Sequence, residues 1–75
     1  MLVDLTPKSM EIILNGQTHF CESGDNVAAL VSKLEIDPRS IAIELNQEIV
    51  AKSNWPITFL KSGDKLEIVQ FVGGG

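Results

Sequence analysis

Seventy-five residues, 44% hydrophobic and 21% charged, suffice for one small folded domain but leave little room for a large enclosed active site. A formal net charge of −4 with only six Lys and Arg argues against a nucleic-acid partner, which would need clustered basic side chains on its phosphates. The single cysteine allows no intramolecular disulfide and no cysteine-based zinc site, and no apolar run approaches the about 20 residues of a membrane span.

With no signal-peptide h-region at its start, the chain is expected in the cytoplasm, a monomer when free, with neither nucleic acid nor membrane as partner. Residues 1–9 show no sustained period and include Pro7. They are expected to form a flexible N-terminal extension, with Met10 as a second candidate start and the domain proper at 10–72.

From Met10 the pattern sharpens. Asn15-Gly16 sits between two β-prone runs, and a type I′ turn needs positive φ at both central residues, so a hairpin is predicted with Leu14 facing Gln17 and Met10 facing Cys21. Met10, Ile12, Leu14, His19 and Cys21 then share one face. Glu11, Ile13, Thr18 and Phe20 share the other, and the charge on Glu11 marks it as the solvated one. After the turn cluster Ser23-Gly24-Asp25-Asn26, which offers Asp25 or Asn26 as an N-cap, Val27, Leu30, Val31 and Leu34 fall at i, i+3, i+4 and i+7. This spacing predicts a short amphipathic helix that ends before Pro38 and must lie on a sheet to persist.

The second half reads as β again. Ile41–Leu45 and Glu48–Ala51, separated by Asn46-Gln47, predict another pair of short strands. An irregular crossing from Ser53 through Trp55 to Leu60 then reaches Ser62-Gly63-Asp64, a turn that launches the last strand. The order β-β-α-β-β-β, one helix across one face of a mixed sheet of about five strands, is an α+β architecture.

That last strand ends in Phe71-Val72-Gly73-Gly74-Gly75. Three glycines have no side chain to bury and lose much backbone freedom on ordering, so packing does not account for them. A frayed end is one alternative. The other is a flexible tail, 73–75, reaching about 10 Å past the strand, that threads a groove too narrow for any Cβ and delivers its carboxylate to another protein's active site. Alternation puts Leu66 and Ile68 on one face of the strand and Val69 and Phe71 on the other. Val69, Phe71, Ile13 and Phe20 are therefore expected to form an exposed apolar docking patch close to the tail.

The element order and the glycine end resemble the ubiquitin-like β-grasp fold. More narrowly, Ile12–Gly16, Asn26–Leu30, Leu45–Val50, the lone Trp55, and Ser62–Val69 running on to Gly75 resemble the sulfur-carrier family of bacterial thiamine biosynthesis over residues 10–75. The resemblance implies a carrier and not an enzyme. It implies that the Gly75 carboxylate, led by Gly73 and Gly74, is adenylated by an ATP-using, ubiquitin-activating-type adenylyltransferase and converted to a thiocarboxylate by a sulfur donor system. The sulfur then passes to thiazole synthase. No cofactor is bound by the carrier, and ATP belongs to the activating partner. The small sulfur-carrier subunit of molybdopterin synthase shares fold and tail and is the nearest alternative, while a plain β-grasp interaction module would need no free terminus.

Other residues read as structural. His19, the only histidine, has no companion ligand or nucleophile at a suitable spacing and is expected at the rim of the sheet. Cys21 lies on the inward face of the hairpin as a small core residue, and Trp55 beside Pro56 anchors the crossing. Ser23-Gly24-Asp25 and Ser62-Gly63-Asp64 lack the glycine spacing and the lysine of a phosphate-binding loop. Glu11, Glu22, Glu35, Asp37, Glu44 and Glu48 are spread over separate elements as a solvated acidic surface suited to steering a basic partner.

Overall fold

The computed structural model describes residues 9–71. Strand β1 (Ser9–Leu14) turns through Asn15 and Gly16, whose φ values of 49° and 79° are the left-handed pair a type I′ turn requires, into β2 (Gln17–Glu22). The register is the expected one, from Leu14 opposite Gln17 to Met10 opposite Cys21, and Ser9 adds one further pair with Glu22. Eight residues of the expected extension, 1–8, lie outside the described residues.

Helix α1 (Val27–Leu34) is capped by Asn26, whose side chain accepts the Ala29 N–H at 2.7 Å. It closes at Glu35, left-handed at φ 57°, which donates its N–H to the Ser32 carbonyl. Asp25, the other candidate cap, has a different task. It is buried, accepts the Glu22 N–H at 3.1 Å, and takes the Lys33 ammonium at 2.9 Å. Both Ser-Gly-Asp segments are the same device: at the second, the Asp64 carboxylate accepts the Lys61 N–H at 2.7 Å while the Lys61 carbonyl accepts the Asp64 N–H. A carboxylate occupies the loop's backbone donor in each case, so these turns hold themselves closed and offer nothing to a phosphate.

After a 3-10 turn at Pro38–Ser40 come β3 (Ile41–Leu45), the left-handed pair Asn46 and Gln47, and the two-residue β4 (Glu48–Ile49). A 3-10 helix over Lys52–Ile57 buries Trp55, whose indole N–H donates to the Val50 carbonyl at 3.0 Å, and the crossing returns to β5 (Lys65–Gln70). The sheet order is β2-β1-β5-β3-β4, with β5 parallel to β1 and antiparallel to β3. This is the expected β-grasp: the sheet lays Ile12, Cys21, Ile41, Ile43 and Leu66 against Val27, Leu30 and Val31 of the helix, with Trp55 and Leu60 closing the side. Among the described residues, no helix covers the other face of the sheet.

Candidate carrier strand and docking surface

Strand β5 occupies the middle of the sheet, and its two halves are held differently. At its start, Leu66 is fully buried, paired with Leu14 of β1 on one flank and Leu45 of β3 on the other. Beyond the Asn15-Gly16 turn β1 has ended. Val69, Gln70 and Phe71 keep only the β3 flank, through the pairs Ala42 with Val69 and Ile41 with Gln70 and through the Phe71 N–H, which donates to the Ser40 carbonyl at 2.7 Å. Main-chain structure thus persists to Phe71, and Gly73, Gly74 and Gly75 lie outside the described residues.

On the uncovered face, Val69 is 48% and Phe71 55% exposed, next to Ala42. These two form one apolar site adjoining the tail. Ile13 and Phe20 do not join it. Ile13 is level with Lys65, four residues or about 13 Å before Val69, and Phe20 pairs with Glu11, whose carbonyl accepts the Gly63 N–H, about 20 Å before Val69. The expected patch of four shares a face but not a place, because β1 runs parallel to β5 and stops level with Leu66. Glu44, Lys65 and Glu67 fill the interval between.

Sequence reasoning missed other exposed apolar groups. Ile49, 78% exposed, sits opposite Glu44 on this same face, which the alternation around the Asn46-Gln47 turn signals. Ile57 and Phe59 are exposed on the crossing, where no periodicity could reveal them. Also missed were two carboxamides that act on β5. The Asn15 Oδ1 accepts the Ile68 N–H at 2.7 Å, and the Asn46 Oδ1 accepts the Lys65 N–H at 3.0 Å while its Nδ2 donates to Asp64 at 3.1 Å. The sequence marks both asparagines only as turn formers.

The remaining polar groups fit structural roles. His19 is half-buried on the outer strand β2 beside a shallow cleft it shares with Cys21, Leu30 and Lys33. The Cys21 thiol is buried, and burial first, then the Asp25 charge, pushes its pKa up, away from a reactive thiolate. Lys33 has its pKa raised chiefly by the hydrogen bond to Asp25, and Asp37 has its pKa lowered by its bonds to Arg39. None of these groups belongs to the end of β5. Among the described residues, no three His, Cys, Asp or Glu side chains come together to hold a metal, and no helix is long and apolar enough to cross a membrane.

The ThiS family profile matches residues 10–75. The sulfur carrier protein ThiS of Escherichia coli is 30% identical over 66 residues, covering 88% of this chain and all of that protein. A crystal structure of the thiamine biosynthesis protein ThiS from Geobacter metallireducens superposes with a TM-score of 0.78 at 30% identity, again over 88% of this chain and the whole of the other. A thiazole synthase from Paramagnetospirillum magneticum is 42% identical over 66 residues, and this chain spans about a fifth of that protein's length. The chain therefore belongs to the ThiS family, whose Escherichia coli member is a sulfur carrier protein.

Proposed function

We propose that the chain carries sulfur as a thiocarboxylate on Gly75. The observation that carries this reading is the family match, which extends across the folded body to Gly75 and so includes the glycine segment that follows β5. A carboxylate is a poor electrophile until activated. An ATP-using adenylyltransferase of the ubiquitin-activating type supplies activation: the Gly75 carboxylate attacks the α-phosphorus of ATP, pyrophosphate leaves, and an acyl adenylate forms. Sulfide delivered by the donor system then attacks the acyl carbon, the C–O bond to AMP breaks, AMP departs, and loss of the sulfur-bound proton leaves the thiocarboxylate. Both steps need the acyl carbon placed beside reactants in a site that excludes water, and glycines without Cβ atoms let the partner close around them.

Thiazole synthase is the acceptor in this reading. Support comes from the two relatives named thiazole synthase, from Paramagnetospirillum magneticum and Magnetococcus marinus, each of which contains a region 66 residues long that resembles this chain within a protein about five times longer. The ATP stays with the activating partner, and the whole exchange belongs in the cytoplasm. Val69 and Phe71, the exposed apolar pair next to the tail, are the docking contact that fits this task, with Ile13 and Phe20 outlying on the same face. The test is pyrophosphate release from ATP by the cognate activating enzyme. The chain ending at Gly75 should drive it, and a chain lacking Gly75 or extended beyond it should not; equal rates from all three would overturn the reading.

A further inference from the structure

We propose that Asn15 is a positioning residue for the carrier strand: its carboxamide holds the end of β5 in the direction from which the tail enters the activating partner. The inference rests on the carrier reading above and adds a residue to it. In a parallel pair, a residue's N–H donates to the strand alongside and its own carbonyl accepts the next available N–H two residues on. Asn15 makes the first bond normally, its N–H donating to the Leu66 carbonyl at 2.9 Å. The second would bring the Ile68 N–H to the Asn15 carbonyl, but the chain reverses here, at φ 49°, and the main-chain carbonyl leaves the line of the ladder. The side-chain Oδ1 takes its place and accepts the Ile68 N–H at 2.7 Å across 53 residues of sequence.

On the other flank Asn46 repeats the arrangement. Its N–H donates to the Lys65 carbonyl at 2.7 Å, φ is 51°, and its Oδ1 accepts the Lys65 N–H that the main-chain carbonyl would otherwise take. The two substitutions differ in place. Asn46 seats the start of β5, where Leu66 is already buried and flanked on both sides. Asn15 supplies the last bond on the β1 flank, three residues before Phe71, where only β3 remains. Strand ends are the part of a sheet that opens most easily, so a single bond there changes how much of the time the strand points one way. An asparagine is suited to this position because it tolerates positive φ and carries a carbonyl of its own.

The test uses the full chain with Asn15→Gly, which keeps the turn's backbone conformation and removes the acceptor, and with Asn15→Asp, which keeps an oxygen in the same place. In Asn15→Gly, amide exchange at Ile68 followed by NMR should accelerate about 3- to 10-fold, while the core amides of Ile12 and Ile43 hold. In the pyrophosphate assay KM for the carrier should rise about 3-fold or more with kcat kept, because fewer molecules present the tail correctly, and Asn15→Asp should restore both readouts. Unchanged Ile68 exchange in Asn15→Gly, faster exchange with an unchanged KM, or failure of Asp to restore would each overturn the proposal. If the unaltered chain is not adenylated at all, it is the carrier reading that fails, and the Ile68 exchange decides on the clamp alone.

Discussion

The two halves of β5 carry the same kind of sequence and do opposite things. Lys65–Leu66 is locked between β1 and β3 with its inward side chain fully buried, whereas Val69–Phe71 has lost one flanking strand and turns two apolar side chains to solvent. The first half ties the strand to the fold, and the second leaves apolar side chains accessible. What separates them is where the neighbouring hairpin turns: Asn15-Gly16 ends β1 level with Leu66, and past the Ile68 N–H, which the Asn15 carboxamide accepts, β5 has no strand beside it on that flank among the described residues.

The contrast can be broken most severely at Leu66. Leu66→Ala should cost about 2–5 kcal/mol by removing methyl groups from a filled core, whereas Val69→Ala should cost no more than about 0.5 kcal/mol, both read by urea denaturation. Partner recognition should show the reverse dependence. Phe71→Ser should leave stability within about 0.5 kcal/mol and weaken adenylation by the activating enzyme about 10-fold or more, the scale of a large apolar side chain buried on docking. An unchanged adenylation rate would remove Phe71 from the docking surface.

At the start of the strand, Asp64→Ala removes the acceptor of the Lys61 N–H and the partner of the Asn46 amide, and should cost about 1–2 kcal/mol in the same denaturation assay. The smallest effect is expected far from β5, at the Asp25–Lys33 contact. Asp25 raises the Lys33 pKa above its ordinary 10.5, so this contribution to stability is complete below that value and is lost as pH rises through the higher folded-state pKa. Burial likewise raises the Cys21 pKa above its ordinary 9.0, and stability falls in the same direction as the unfolded thiol ionises. Melting temperatures should therefore decline above about pH 9, and Lys33→Arg, whose guanidinium stays charged, should soften the decline without altering adenylation.

Much of this was legible in the sequence because local rules sufficed. Asn15-Gly16 dictated the hairpin register to the residue, and the spacing of Val27, Leu30, Val31 and Leu34 marked the helix that the structure places at Val27–Leu34. Alternation in β5 correctly put Leu66 inside and Val69 and Phe71 outside. The docking patch was grouped wrongly for a reason of topology: alternation gives the face on which a side chain lies, but its height along the sheet depends on which strands pair and in what direction. The parallel pairing of β1 with β5 joins residues more than fifty positions apart. The Asn15 and Asn46 carboxamides were hidden for the same reason, since each reaches a strand that the sequence does not place beside it. Asp25 was read as a cap candidate because nothing local distinguishes it from Asn26; its burial follows from the tertiary contact with Lys33 and from the crossing, where the Leu60 N–H meets its carbonyl.

In the proposed function, the folded body presents a carboxylate on which sulfur travels. Intact-mass spectrometry of the chain after incubation with the cognate activating enzyme, ATP and a sulfur source measures this directly. One oxygen should be exchanged for one sulfur, located by fragmentation on Gly75 and absent from a chain lacking that residue. Sulfur found on Cys21 instead, or no mass change while a known ThiS carrier is converted by the same enzyme, would contradict it.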